Sequence, residues 1–138
     1  MHEWGLAQAI INTALSAARK NKLARIDKII VLLGELEQIP KNDLIFILKQ
    51  LLVSRKETTG KTRISIKEEQ AAFKCKRCAR KWTLKYFKKI FRKEIFESLH
   101  HAPEILRVYG KCPRCSSHDF NITKGKGIWL MSIEGVKQ

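Results

Sequence analysis

Apolar residues recur at helical spacing along two stretches of the chain. Steps of three and four residues place Trp4, Ala7, Ile11, Ala14 and Ala18 on one stripe. A second set with the same spacing follows Pro40 and consists of Leu44, Ile47, Leu48, Leu51 and Leu52. Such spacing is typical of amphipathic helices. We therefore expect two helices, the first beginning almost at the first residue and carrying Trp4 on its buried stripe.

Three other stretches predict β-strands. Residues 24–36 are rich in Ile, Val and Leu, and their unbroken run at 29–33 suits a strand buried on both faces. An alternating segment at 62–67 and a closing apolar segment at 128–133 predict two more strands. The whole chain has 138 residues, enough for one domain or two small lobes.

Four cysteines form two pairs with the spacing of metal-binding knuckles: Cys75 with Cys78, and Cys112 with Cys115. Two such turns can close a tetrahedron of thiolates around Zn²⁺, and four sulfur ligands leave no open coordination position. The sequence therefore predicts a structural zinc site. A redox dithiol and two unrelated knuckles are the rival interpretations. Three aromatic residues flank the pairs and are expected to form the core of this lobe rather than a stacking platform: Phe73, Trp82 and Phe120.

The segment between the knuckles is amphipathic and strongly basic. Its apolar residues follow helical spacing and predict one helix over 84–100: Leu84, Phe87, Phe91, Ile95 and Leu99. Basic residues occupy the rest of the circumference: Lys85, Lys88, Lys89, Arg92 and Lys93. Residues 74–96 carry ten Lys or Arg against the single Glu94, so +9 of the formal charge of +15 lies there. The basic face is either a solvated surface or a docking surface for an acidic partner.

His2 is the position with the most distinctive metal chemistry. The α-amino group of Met1, the next backbone amide and the imidazole of His2 can chelate a cation in fused rings, which suits tetragonal Ni(II) or Cu(II). The alternative is an exposed histidine near a frayed chain end. No catalytic Ser/His/Asp or Cys/His set and no Gly-rich phosphate loop accompanies it, so we expect a protein that is not an enzyme. No apolar run approaches a membrane span and no targeting segment is evident, so the cytoplasm is the expected location.

Several motifs together resemble the HypA family of nickel metallochaperones for [NiFe]-hydrogenase maturation. They are the N-terminal Met-His-Glu-Trp, the Leu-Gly-Glu-Leu of residues 33–36, the two knuckles, and the tail segments 115–120 and 125–127. The resemblance implies an α+β fold. A nickel-binding lobe, two helices on a three-stranded sheet, would comprise residues 1–72 and 121–138, and a zinc lobe would comprise 73–120. It also implies Ni²⁺ at Met1, His2 and the Glu3 backbone, and Zn²⁺ at the four cysteines.

The long insertion is similar to that of archaeal HypA proteins, in which a histidine of the zinc lobe can reach the nickel. A histidine three residues before Pro-Glu carries this match, which points to His100, with His101 as the alternative. Either could instead be a surface histidine at a helix end. The resemblance implies as partners a MinD/Mrp-type ATPase, or a GTPase in the role of HypB, and the hydrogenase large subunit. His118 is expected to be a structural neighbour of the zinc knuckle.

Two other classes of function stay open at this point. A zinc-ribbon protein that binds nucleic acid through Lys85, Lys88, Lys89, Arg92 and Lys93 would explain the charge but not the N-terminal tripeptide. A basic, zinc-stapled interaction module with no role in metal transfer is the third interpretation.

Overall fold

The computed structural model describes residues 2–53, 55, 58–100, 102 and 104–138, and for residues 2, 58–60 and 100 it describes the backbone. In chain order the elements are α1 (His2–Lys20), β1 (Leu23–Gly34), a 3-10 turn (Glu35–Glu37), α2 (Lys41–Leu52), β2 (Thr58–Glu69), β3 (Ala72–Cys75), β4 (Lys81–Thr83), α3 (Leu84–Ile90), α4 (Lys93–Glu97), a 3-10 turn (Ser98–His100), α5 (Ile105–Tyr109), β5 (Phe120–Lys124) and β6 (Ile128–Lys137). They fall into two compact units. The first unit is Met1–Leu33, Ile39–Lys67 and Ile128–Gln138, and the second is Gly34–Gln38 and Glu68–Gly127.

The first unit is a three-stranded sheet packed against two helices. β1 lies at its centre between β2 and β6, and it runs antiparallel to β6 from the pair Leu23 and Lys137 to the pair Leu33 and Ile128. α1 contacts both α2 and β6. The apolar stripes of the helices are buried with the central strand: Ala7, Ile11, Ala14 and Ala18 on α1, Leu44 and Leu48 on α2, and Ile29 and Val31 on β1. This arrangement confirms the expected α+β fold of the unit.

Two details of the first unit differ from expectation. Trp4 was expected on the buried stripe of α1, but its side chain is 45% exposed, because the stripe is buried only from Ala7 onward. β1 was expected to extend to Leu36, but it ends at Gly34, and Leu36 lies in the 3-10 turn that follows. Leu36 is buried in the core of the second unit, whereas Leu33, just before the turn, is buried in the core of the first.

The second unit is a small sheet with short helices and an aromatic core. β3 lies between β4 and β5 and is antiparallel to both. Phe73, Phe87 and Phe120 are fully buried and Trp82 nearly so, with ring centroids 4.9–6.0 Å apart. The expectation that Phe73, Trp82 and Phe120 form a core rather than a stacking platform is confirmed.

The single helix expected over 84–100 is wrong. α3 ends at Ile90, the backbone is extended at Phe91 and Arg92, and α4 and a 3-10 turn follow. A straight helix of this length would run for about 25 Å without turning back towards the small aromatic core. The break returns the chain to that core, because Phe91 stacks on Phe87 at 5.1 Å and Leu99 is 1% exposed.

The segments where the chain passes from one unit to the other are connected by hydrogen bonds. An Oε1 atom of Glu35 accepts from the Ala71 N–H at 2.8 Å, and one of Glu69 accepts from the Gly125 N–H at 2.8 Å. The Gly34 N–H donates to the Gly127 carbonyl. These bonds join residues 34–38, 68–72 and 121–127 to one another, and the segments belong to the cysteine-bearing unit because β5 pairs with β3 and because Leu36 and Ala71 lie in its core. The boundaries expected from the sequence are 72/73 and 120/121. No helix in the described part of the chain is long and apolar enough to cross a membrane.

Candidate metal centre

Both cysteine pairs converge on one point of the second unit. Cys75 ends β3, Cys78 follows in a tight turn, and the second pair lies in the turn before β5. The four Sγ atoms all lie within 4.8 Å of one another, and the Sγ–Sγ distances are 3.6 Å for Cys75 with Cys115 and for Cys78 with Cys112. No disulfide links them. The chain thus gathers two sulfurs from each turn into one four-sulfur cluster.

The spacing of these sulfurs fits a tetrahedral zinc ion. With Zn–S bonds of about 2.3 Å, the edges of an S₄ tetrahedron are about 3.8 Å long. The two 3.6 Å separations agree with such an edge to within about the usual tolerance for metal–ligand distances. Four thiolates are a donor set that suits zinc and leaves no position for a substrate.

The two knuckles share one backbone design. In each, the residue after the second cysteine has a positive φ, 66° at Ala79 and 62° at Ser116, and donates its N–H to the carbonyl of the first cysteine. The N–H of that first cysteine donates in turn to a carbonyl five residues on, at 2.8 Å in both knuckles. Sequence reasoning missed these left-handed positions, because neither Ala nor Ser signals a positive φ as Gly or Asn does.

Backbone amides point at the sulfurs and tune their ionisation. The N–H groups of Arg77 and Cys78 donate to the Cys75 Sγ at 3.3 and 3.4 Å, and that of Cys78 contributes most to lowering the pKa of Cys75. Burial acts to raise the pKa of Cys112, but N–H donation from Cys115 and Arg114 and contacts with Cys78 and Cys115 outweigh it, and this pKa falls to about 7.

Cys115 behaves in the opposite way. Its largest influence, the N–H of Ser117, lowers the pKa, but burial and the other three thiols together raise the pKa to about 11. When four thiols crowd one point, some give up protons readily and the others hold them. A cation that binds all four sulfurs would offset the repulsion between neighbouring thiolates.

His118 lies beside the second knuckle and outside the sulfur cluster. Its Nδ1 is 2.7 Å from the Gly110 carbonyl oxygen. Among the described residues, the group able to hold a metal contains the four cysteines and no histidine. His118 is therefore a neighbour of the knuckle, as the sequence indicated.

The residues predicted to bind nickel lie largely outside what the structure describes. Met1 and His101 are outside the described residues. The backbone of His2 begins α1, that of His100 ends a 3-10 turn, and Glu3 is half-buried in the first turn of α1. The nickel ligands therefore stay a prediction.

The five basic residues predicted to bind a partner lie on the broken helix. Lys85, Lys88 and Lys89 are exposed on α3, Arg92 lies in the break, and Lys93 begins α4. Lys93 has Glu97 4.0 Å away, one helical turn on. Their role in partner binding stays a prediction.

An α+β lobe and a lobe with four clustered thiols define a small protein with a zinc-ribbon-like site that could hold a metal ion. The model of the family described as hydrogenase/urease nickel incorporation, metallochaperone, hypA matches residues 1–135. The chain therefore belongs to the HypA family, the metallochaperones of hydrogenase maturation.

Individual relatives agree with this assignment over the full length. The chain is 39% identical to the hydrogenase maturation factor HypA of Pyrococcus abyssi over 139 residues, covering 100% of this chain and 98% of the relative. It is 36% identical to the HypA of Thermococcus kodakarensis, with the same coverage. A solution structure of the Ni metallochaperone HypA from Helicobacter pylori matches its fold with a TM-score of 0.62 at 19% identity, covering 99% of this chain and 98% of that one.

Proposed function

We propose that this protein binds Ni(II) at Met1, His2 and Glu3 and delivers it to the large subunit of [NiFe]-hydrogenase, without itself catalysing a reaction. The observation that carries the proposal is the family match, which begins at residue 1 and so includes the N-terminal tripeptide. The described residues offer one other metal centre, the four-sulfur cluster, and its donor set suits zinc.

The start of α1 supports this nickel site. A helix that begins at His2 fixes the backbone of His2 and Glu3 in its first turn. The α-amino group, the adjacent amide nitrogens and the imidazole of His2 are then close in the chain and able to form fused chelate rings. Nitrogen donors in a tetragonal arrangement suit Ni(II) better than Zn²⁺ or Mg²⁺.

We further propose that the four cysteines hold Zn²⁺ as a structural ion and that the protein works in the cytoplasm. Cys75, Cys78, Cys112 and Cys115 would supply the thiolates, and their backbone N–H···S bonds favour the ionised form. Four gathered, unoxidised thiols suit a reducing compartment.

Transfer would need a partner that hydrolyses a nucleotide. A MinD/Mrp-type ATPase, or a GTPase in the role of HypB, would bind the chain and bring His100, or else His101, into the nickel site. Because coupling between two binding events is reciprocal, nickel should then tighten the complex with the partner. The family's place in hydrogenase maturation supports such a partner.

Nickel titration of the untagged, zinc-loaded protein by isothermal calorimetry tests the site. We expect one Ni(II) per chain, and loss of that uptake in His2→Ala or on adding a short N-terminal tag. His118→Ala is the matched control, because it also removes one imidazole but lies beside the zinc knuckle. Zinc content should be unchanged in all variants. Unchanged nickel uptake by His2→Ala would overturn the proposal.

A second titration identifies the histidine that the zinc lobe contributes. With the nucleotide-bound partner present, His100→Ala should weaken nickel binding and His101→Ala should not. The opposite result would assign the role to His101, and no effect of either would remove the zinc lobe from the nickel site.

A further inference from the structure

The second unit contains a cleft that the metal sites do not use. It has a volume of about 400 Å³ and is lined by Glu35, Gln38, Gln70, Leu84, Lys85, Lys88 and Phe96. These residues come from the first 3-10 turn, the β2–β3 connection, α3 and α4. The volume lies within the range of about 300–1,000 Å³ typical of ligand pockets.

Two lysine side chains line this cleft, and neither forms a salt bridge within the described residues. Lys85 and Lys88 lie one turn apart on α3 and are exposed. Neither forms an ion pair with any other residue that the structure describes, in contrast to Lys93, which has Glu97 4.0 Å away. Two adjacent ammonium groups at one rim favour an anionic ligand.

The other lining residues are partly apolar and partly polar, and this combination limits the class of ligand that could bind. Leu84 and Phe96 form an apolar wall, while the side-chain amides of Gln38 and Gln70 can both donate and accept hydrogen bonds. Within the described residues these two amides have no hydrogen-bond partner. Such a set matches a peptide, which presents apolar side chains and backbone amides together.

Glu35 distinguishes a peptide from a nucleic acid. One of its carboxylate oxygens accepts from the Ala71 N–H, which keeps the carboxylate at the cleft. A carboxylate repels any anion placed beside it, but it accepts a hydrogen bond from a peptide N–H, a donor that the phosphate backbone of a nucleic acid lacks, so the acidic side chains of a peptide would lie at the lysines and a backbone N–H at Glu35. Sites for single-stranded nucleic acid also depend on stacking surfaces, and the cleft lining has one aromatic residue, the half-buried Phe96.

We propose that this cleft binds an acidic peptide segment of a partner protein, with carboxylates at Lys85 and Lys88 and an apolar side chain against Leu84 and Phe96. The identity of the partner as a maturation factor rests on the proposed function, but binding of the peptide requires no nickel. The cleft lies within one unit, so the site is complete in a single copy of the chain.

The test uses the full, zinc-loaded and nickel-free protein. The probe is a panel of six fluorescein-labelled hexapeptides, in which one Phe moves through a run of Asp and Glu, and binding is followed by fluorescence anisotropy. We expect at least one peptide to bind with a Kd below about 1 mM. The double variant Lys85→Gln, Lys88→Gln should weaken that binding about tenfold.

A matched control separates the cleft from general charge. Lys81→Gln, Lys124→Gln removes the same number of charges from exposed positions of the same unit that lie outside the cleft lining, and it should change the Kd by about twofold or less. Phe96→Ala should weaken binding about fivefold without changing the charge. Zinc content and thermal unfolding of every variant verify that the lobe is folded.

Three outcomes would overturn the proposal. No binding by any peptide below about 1 mM would show that the cleft does not take such a ligand. Equal weakening by both double variants would assign the binding to diffuse charge. A 12-nucleotide oligodeoxythymidine that binds more tightly than the peptides, and loses affinity in Lys85→Gln, Lys88→Gln, would make this a nucleic-acid surface. Because nickel is absent throughout, failure of the nickel proposal would leave these results unchanged.

Discussion

Replacing Ala79 with glycine should tighten zinc binding, although it removes a methyl group and touches no ligand. Ala79 directly follows Cys78 and has a φ of 66°, in the left-handed region. Its N–H donates to the Cys75 carbonyl at 3.1 Å, so the knuckle itself requires this conformation.

The magnitude follows from two opposing terms. A non-glycine residue in the left-handed region costs about 1–2 kcal/mol. Glycine escapes that cost but loses about 0.4–1 kcal/mol more than alanine through the entropy of the unfolded chain. The difference leaves Ala79→Gly more stable by about 0.5–1 kcal/mol. Where zinc binding and folding are coupled, this corresponds to an apparent zinc affinity about two- to fivefold higher.

The assay is competition for zinc against a chromophoric chelator, combined with thermal unfolding of the zinc-loaded protein. Ser116→Gly, at the equivalent position of the second knuckle with a φ of 62°, should change the affinity in the same direction. Ala72→Gly is the control for the mutation itself, because Ala72 lies in β3, paired with Thr83 and Lys124, and should lose stability. If Ala79→Gly weakened zinc binding as Ala72→Gly does, the reasoning would be refuted.

Four further predictions concern packing and pH. Gly34→Ala should destabilise the protein by about 1–3 kcal/mol, because an added Cβ would lie 2.3 Å from the Gly125 carbonyl oxygen. Gly5→Ala should stabilise the protein by about 1 kcal/mol, because Gly5 lies in α1 with open space around it. Urea unfolding measures both changes. Phe87→Ala should cost about 3–5 kcal/mol, since its ring is fully buried, and a loss below 1 kcal/mol would contradict the aromatic core. Zinc affinity, measured by chelator competition from pH 6 to 9, should fall as the pH drops through 7, because Cys112, with a pKa of about 7, takes up a proton there. The affinity should still rise above pH 7, because the metal-free Cys115, with a pKa of about 11, keeps its proton in this range. A flat profile would contradict both assignments.

The parts of the fold that the sequence predicted are those set by local pattern. Ala7 to Ala18 repeat at helical spacing because one face of α1 is buried, and the Cys-x-x-Cys spacing places both cysteines of each pair in one tight turn. Such signals lie within a few residues of one another, so they can be read before any tertiary contact is known.

The parts it could not predict depend on contacts distant in sequence. The stripe from Leu84 to Leu99 continues through the break at Phe91 and Arg92, and neither Gly nor Pro marks that break. Phe87 before the break and Leu99 after it are buried in the same core, a grouping that only the folded chain reveals. The sequence did not predict the cleft, because Glu35 and Lys85 are distant in the chain and line one cleft only after folding.

The chemistry of the two proposed metal sites explains why a carrier would use a different set of ligands for each. Four thiolates that receive backbone N–H bonds and lie in a small aromatic core would hold an ion with every coordination position filled. Such a site exchanges its metal slowly, and losing the ion should unfold the lobe that it ties together. An ion that must be handed on needs the opposite: few ligands and ready access. The proposed site at Met1 and His2 meets these requirements. Its amine and imidazole, with reference pKa values of about 8 and about 6.5, take up protons in mild acid, as Cys112 also does, so the ion that is held by fewer donors would be released first. Lowering the pH to about 6 should therefore empty the nickel site before the zinc site, and simultaneous loss of both metals would contradict this division.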